Sequence, residues 1–84
     1  MTQPTVPTVF SKPKCVQCDA TDRALDKRGH RLPHIDVTRD PAALEFILAL
    51  DYQQAPVVWI SPTVHWSGFR PDLINQHFPK ENAA

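Results

Sequence analysis

Cys15 and Cys18 stand at the junction of two unlike segments, and that placement restricts the fold more than any other feature of the chain. Before them, Thr8-Val9-Phe10 is β-branched and aromatic, which predicts a short strand limited on one side by Pro7. After them, the residues up to Arg28 are good helix formers. Val16, Ala20 and Ala24 recur at fours, Leu25 joins their face, and Asp19 and Arg23 are spaced to pair. Two cysteines are too few for a disulfide scaffold and too close in sequence to tie distant segments together. At this position they point to redox or metal chemistry.

The alternation continues beyond the first helix. Gly29 supplies a stop, with Lys27 and Arg28 in the last turn. Leu32 to Val37 predicts a second strand, and Pro33 within it predicts a sheet edge. Asp40-Pro41 opens a second helix, a capping carboxylate followed by proline at the first helical position. Leu44, Phe46, Ile47 and Leu48 give that helix a wide apolar face, and it ends near Leu50. Val57-Val58-Trp59-Ile60 is wholly apolar and predicts a strand covered on both faces. Ser61-Pro62-Thr63 is a turn, and Val64 to Trp66 returns. Pro71 opens a last helix carrying Leu73, Ile74 and Phe78, closed by Pro79. The order is β-α-β-α-β-β-α. The 84 residues are expected to form one α/β domain, with 1–7 a loose lead-in and 80–84 a polar tail.

Charge narrows the partners. Nine basic residues balance nine acidic ones, so no net field points to nucleic acid or an anionic membrane. No apolar run reaches membrane-spanning length, and the start lacks the basic and apolar regions of a secretion signal. A cytoplasmic protein is the expectation. Locally the balance fails: Lys12 and Lys14 flank Cys15, and no acid follows before Asp19.

Disulfide exchange needs a thiolate. A cysteine at a helix N-terminus faces unpaired backbone N–H groups and the positive end of the helix dipole. Those terms, with Lys12 and Lys14, should lower the Cys15 pKa below the free value of about 8.5. Cys18, one turn on, is placed to close a disulfide and to resolve a mixed one. Two other readings stay open. One is a pair of inert buried thiols. The other is a metal site, although His30, His34, His65 and His77 repeat no ligand spacing near the cysteines. Pro56, just before the apolar strand, is tolerated there as a first strand residue.

Several segments resemble the NrdH-type redoxins, glutaredoxin-like members of the thioredoxin superfamily. They are Ser11-Lys12-Pro13-Lys14-Cys15-Val16-Gln17-Cys18, Ala24-Leu25-Asp26, Gln54-Ala55-Pro56-Val57-Val58 and His65-Trp66-Ser67-Gly68-Phe69-Arg70-Pro71-Asp72. The likeness runs from about Thr8 to Ile74, and the last segment is the most specific. It implies a thioredoxin fold, a four-stranded mixed sheet in the order 2-1-3-4 flanked by three helices. It also implies a cis Pro56 that turns the Ala55 backbone toward Cys15, where an extended peptide can add to it.

In function, the resemblance implies a dithiol–disulfide oxidoreductase serving as electron donor to a class Ib ribonucleotide reductase. Thioredoxin reductase would recharge it, with NADPH and FAD on that partner and no cofactor bound here. Lys12, Val16, Gln17, Ala55, Pro56, Trp66, Ser67, Gly68, Phe69 and Arg70 become candidate partner-binding residues on a monomer. The alternatives are a glutathione-dependent glutaredoxin and an iron–sulfur or zinc carrier dimerised through Cys15. Glutaredoxins that use glutathione typically carry Thr-Val before the proline and Gly-Gly-x-Thr/Ser-Asp later. Here Gln54-Ala55 replaces the first pattern. Phe69 takes the place of the second glycine, and Pro71 lacks the hydroxyl and N–H that could hold a carboxylate. Lys12 does match a glutaredoxin position and would keep one glutathione contact, so weak or absent glutathione binding follows as an expectation.

Overall fold

The computed structural model describes residues 3–80, so the outermost parts of the expected lead-in and tail lie outside the described residues. The elements are β1 (Thr8–Ser11), α1 (Val16–Lys27), β2 (His34–Asp36), α2 (Pro41–Ala49), β3 (Val57–Ser61), β4 (Val64–Ser67) and α3 (Pro71–His77). The sheet has four strands in the order β2-β1-β3-β4. β1 runs parallel to β2, with Val9 opposite His34, and antiparallel to β3, with Val9 opposite Val58. β3 and β4 form a hairpin with Val58 opposite Trp66 and a register shift between Trp59 and Ser61. This is the order and mixed pairing the resemblance implies.

The pleat sorts the side chains. Phe10, Val57 and Trp59 join Val37, Ala43, Phe46 and Ile47 in one buried cluster under α2. Val9, Val58 and Trp66 join Leu25, Ile74 and Phe78 in another under α1 and α3. Successive residues of β3 therefore serve opposite faces, which is why its sequence is apolar without a break.

Local chemistry ends most elements where the sequence places their boundaries. The Asp40 carboxylate accepts from Ala43 N at 3.1 Å and caps α2, with Pro41 as its first residue. At the end of α1, Gly29 adopts φ +82°. Its N–H reaches Asp26 O at 3.0 Å, and His30 N reaches Leu25 O at 3.0 Å. These two bonds satisfy the last carbonyls in a Schellman arrangement.

Four expectations need correction. β2 is shorter than Leu32 to Val37. Pro33 cannot donate, so only its carbonyl joins the sheet, accepting from Val9 N at 3.0 Å. Val16 does not share the buried face of α1: it is 80% exposed, while Cys18, Thr21 and Leu25 are buried. Thr21 tolerates burial because its hydroxyl donates to Gln17 O at 2.9 Å. On α2, Leu44 and Leu48 are exposed, lying well round the helix from Ala43, Phe46 and Ile47. Finally, Asp19 and Arg23 form no ion pair among the described residues. Asp22 instead meets His34 Nε2 at 2.6 Å, tying α1 to the start of β2.

Candidate active site

β1 delivers the chain to the C-terminal end of the parallel pair, and Lys12 to Lys14 turn it into α1. Lys14 takes up the turn at φ +55°, a left-handed conformation costing roughly 1–2 kcal/mol for a side-chain-bearing residue. Cys15 is thereby left at the N-cap of α1 with extended backbone, and its sulfur accepts from Cys18 N at 3.1 Å. The sulfur thus does the work usually given to a serine or aspartate cap. Cys15 O accepts from Asp19 N at 3.1 Å, the first bond of the helix ladder. Cys15 and Cys18 are joined as a disulfide, with Cα atoms 5.1 Å apart. Both are buried within the site rather than displayed on it.

The segment before β3 closes over this pair. The Ala55–Pro56 bond is cis, Pro56 is fully buried, and Ala55 O lies 3.9 Å from Cys15 Sγ. Three bonds then join this segment, the first turn of α1 and the stretch after β4. Ser67 Oγ donates to Gln54 O at 3.0 Å. Gly68 N donates to Pro56 O at 2.8 Å. Phe69 N donates to Gln17 Oε1 at 3.0 Å. Gly68 sits at φ +85°, and a Cβ added there would lie 3.3 Å from Gln17 Oε1. The left-handed backbone favours glycine here, and an added side chain would also crowd the Gln17 amide.

The candidate residues thus fall into groups. Lys12, Val16, Gln17 and Ala55 line one cleft with Cys15, together with Lys14 and Gln54. Ser67, Gly68 and Phe69 hold the adjoining turn through the bonds just given. Trp66 does not line the groove. It is 5% exposed and packs in the α1–α3 cluster, because its register opposite Val58 turns it to that face. Its ring stacks on His77 at 5.7 Å. Phe69 is half-buried, with its ring against the same cluster. Arg70, a candidate partner-binding residue, bonds to the start of α3 instead. Its guanidinium grips Asp72 through two bonds, at 3.2 and 2.9 Å. That pairing holds the Asp72 carboxyl below the usual carboxylate range and raises Arg70 in turn.

The histidines are engaged elsewhere. His34 meets Asp22, His30 meets Pro79 O, His65 meets the Tyr52 hydroxyl and His77 stacks on Trp66. Burial pushes the Tyr52 phenol up. Among the described residues, no three His, Cys, Asp or Glu side chains are grouped to hold a metal ion. No helix there is long and apolar enough to cross a membrane. A second cavity, lined by Asp22, Asp26, His30, Arg31 and His34, sits toward the other end of α1 and includes neither cysteine.

A two-cysteine helix cap facing a cis-proline segment is an arrangement for thiol–disulfide exchange, and comparison with known proteins agrees. The family model for glutaredoxin matches residues 7–65. The chain belongs to the glutaredoxin family. Within that family it is 46% identical over 77 residues to the glutaredoxin-like protein NrdH of Escherichia coli (strain K12), covering 92% of this chain and 94% of that one. The same protein of Lactococcus lactis is 30% identical over 64 residues, covering 76% and 88%. Among solved structures, the NrdH-redoxin of Escherichia coli matches with a TM-score of 0.80 and 44% identity, over 89% of this chain and 97% of that one. That protein is described as glutaredoxin-like with a thioredoxin-like activity profile. A thioredoxin-like protein only 23% identical has a TM-score of 0.79, over 93% and 100% of the two chains, and supports the fold. This glutaredoxin-family chain is thus an NrdH-like redoxin of the thiol–disulfide oxidoreductase class, with Cys15 and Cys18 paired as a disulfide.

Proposed function

We propose that this redoxin is a dithiol electron donor to a class Ib ribonucleotide reductase and is recharged by thioredoxin reductase. The FAD and NADPH belong to that partner, and the redoxin's own redox group is the Cys15–Cys18 pair. The Cys15 thiolate attacks one sulfur of the partner disulfide. A Cys15–partner disulfide forms and the other partner sulfur leaves as a thiolate. Cys18 then gives up its proton and attacks Cys15 Sγ, releasing the second partner thiolate. Two electrons and two protons pass to the partner, and the redoxin is left as the disulfide.

One observation carries the choice of this cycle over a glutathione-dependent one. Two backbone donors at the turn after β4 are already used within the chain. Gly68 N is taken by Pro56 O and Phe69 N by the Gln17 amide, while Pro71 has no N–H to offer. A small carboxylate ligand would have to displace an internal bond to dock on either of those two donors. The thioredoxin-like activity described for the 44% identical Escherichia coli protein favours the same reading.

The test is NADPH consumption while the redoxin reduces a small disulfide. One arm contains thioredoxin reductase and the other contains glutathione with glutathione reductase. Turnover confined to the thioredoxin reductase arm is expected. Turnover confined to the glutathione arm would move the protein to the glutathione-dependent branch. Reduction of purified class Ib ribonucleotide reductase in the same coupled assay tests the partner itself.

A further inference from the structure

The cleft beside Cys15 is lined by Lys12, Lys14, Val16, Gln17, Gln54 and Ala55, so it presents two ammonium groups and no carboxylate. The chain as a whole is charge-balanced, which makes this a local excess. Both lysines are exposed, and among the described residues neither forms an ion pair. No acid shares the cleft with them. Asp36, paired in register with Ser11 just before Lys12, has its carboxylate held by Thr38 N at 2.8 Å and Thr38 Oγ1 at 2.6 Å, with Arg39 4.0 Å away. Those bonds lower its pKa and keep it ionised, but its side chain does not line the cleft. Asp72 is gripped by Arg70. Asp19, exposed in the first turn of α1, does not line the cleft.

The rest of the cleft suits an extended chain. Ala55 brings its carbonyl to 3.9 Å from Cys15 Sγ, and Val16, 80% exposed, gives an apolar rim. From this geometry we infer that the redoxin prefers a disulfide carried on an acidic peptide, with Asp or Glu residues flanking the reactive cysteine and set against Lys12 and Lys14. The inference rests on the dithiol reading and names its substrate class. Opposite charges speed encounter and hold the mixed disulfide in register. Each exposed lysine contributes modestly, so about threefold per lysine and about tenfold for the pair is the expected preference at low salt.

Single turnover separates this inference from the question of recycling, because no reductase is present. The protein is reduced with dithiothreitol, freed of it, and mixed with synthetic peptides sharing one cystine loop and flanked by Asp, Ser or Lys. Peptide thiols released are counted after acid quench. Each rate is divided by that of the same peptide with dithiothreitol, which removes the peptide's own reactivity. The expected order is Asp, then Ser, then Lys. It should flatten between about 20 mM and 0.5 M salt as screening shortens, and it should collapse in the Lys12→Gln/Lys14→Gln variant but persist in Lys27→Gln at the far end of α1. A flat or reversed order, or one that survives loss of both lysines, overturns the inference and leaves the dithiol cycle standing. If the double variant does not fold, the salt series on the unaltered protein decides alone.

Discussion

On one face of the sheet, α2 lays Phe46 and Ile47 over Phe10, Val57 and Trp59. Phe46 stacks on Phe10 at 5.5 Å and meets Trp59 edge-on at 6.3 Å. On the other face, α1 and α3 lay Leu25, Ile74 and Phe78 over Val9, Val58 and Trp66. Both layers are apolar and closely packed, yet only the second adjoins the chemistry. Gln17 and Cys18 belong to α1, and Phe69 packs onto the same cluster. The α2 layer carries no cysteine and donates nothing to the site. Burial of similar residues thus stabilises one face as plain core and makes the other a mount for the reactive pair.

The sharpest way to break this comparison is to uncouple activity from stability. Cys15→Ser should abolish disulfide reduction, while its melting temperature stays within a degree or two of the parent's dithiol form, since serine is also a good N-cap. Cys18→Ser should stop turnover at a different step and leave a mixed disulfide with the partner, visible as added mass that reductant removes. Phe46→Ala should do the reverse, costing about 3–5 kcal/mol in denaturant unfolding while the rate per folded molecule is kept. If that variant lost activity beyond its unfolded fraction, α2 would be more than core.

Smaller effects test the mount itself. Gln17→Met keeps the side-chain length but removes the acceptor for Phe69 N, a net loss of about 0.5–1.5 kcal/mol if water does not replace it. The expected result is a several-fold rise in KM for a protein disulfide with little change in kcat. Gln17→Glu, which retains an acceptor oxygen, should recover part of it. The smallest effect is on acid stability. Asp72 is held low by Arg70, so its contribution is fully present above the unfolded carboxylate value near 3.8 and is lost as pH falls through the lower folded value. Asp72→Asn should shallow the acid limb of a stability-against-pH curve and leave it unaltered at neutral pH relative to its own plateau.

Element order and most boundaries were legible because they are written in local chemistry. Asp40-Pro41, Pro71 and Gly29 act on their own neighbours, and no distant residue is needed to read them. The cysteine pair was legible for the same reason, standing where strand chemistry gives way to helix chemistry. Helical phase was harder. Val16, Leu44 and Leu48 are as apolar as their buried neighbours, and only the position of the sheet decides which stripe is covered. Trp66, a partner-binding candidate in the sequence, is placed in the core by the register of β4 opposite Val58. The least legible feature is the bond from Gln17 to Phe69, which spans 52 positions and leaves no periodic trace. Arg70 and Asp72 were within reach of a closer reading, since they lie only two residues apart.

The placement of the two tryptophans carries a practical consequence. Trp59 lies in the α2 layer against Phe46, and Trp66 lies in the α1–α3 layer against His77. The protein therefore has one built-in fluorophore on each side of its sheet, each beside a different aromatic neighbour. Emission from a chain keeping only one of them would report on that layer alone, and light could follow the two sides separately as the molecule opens or meets a partner.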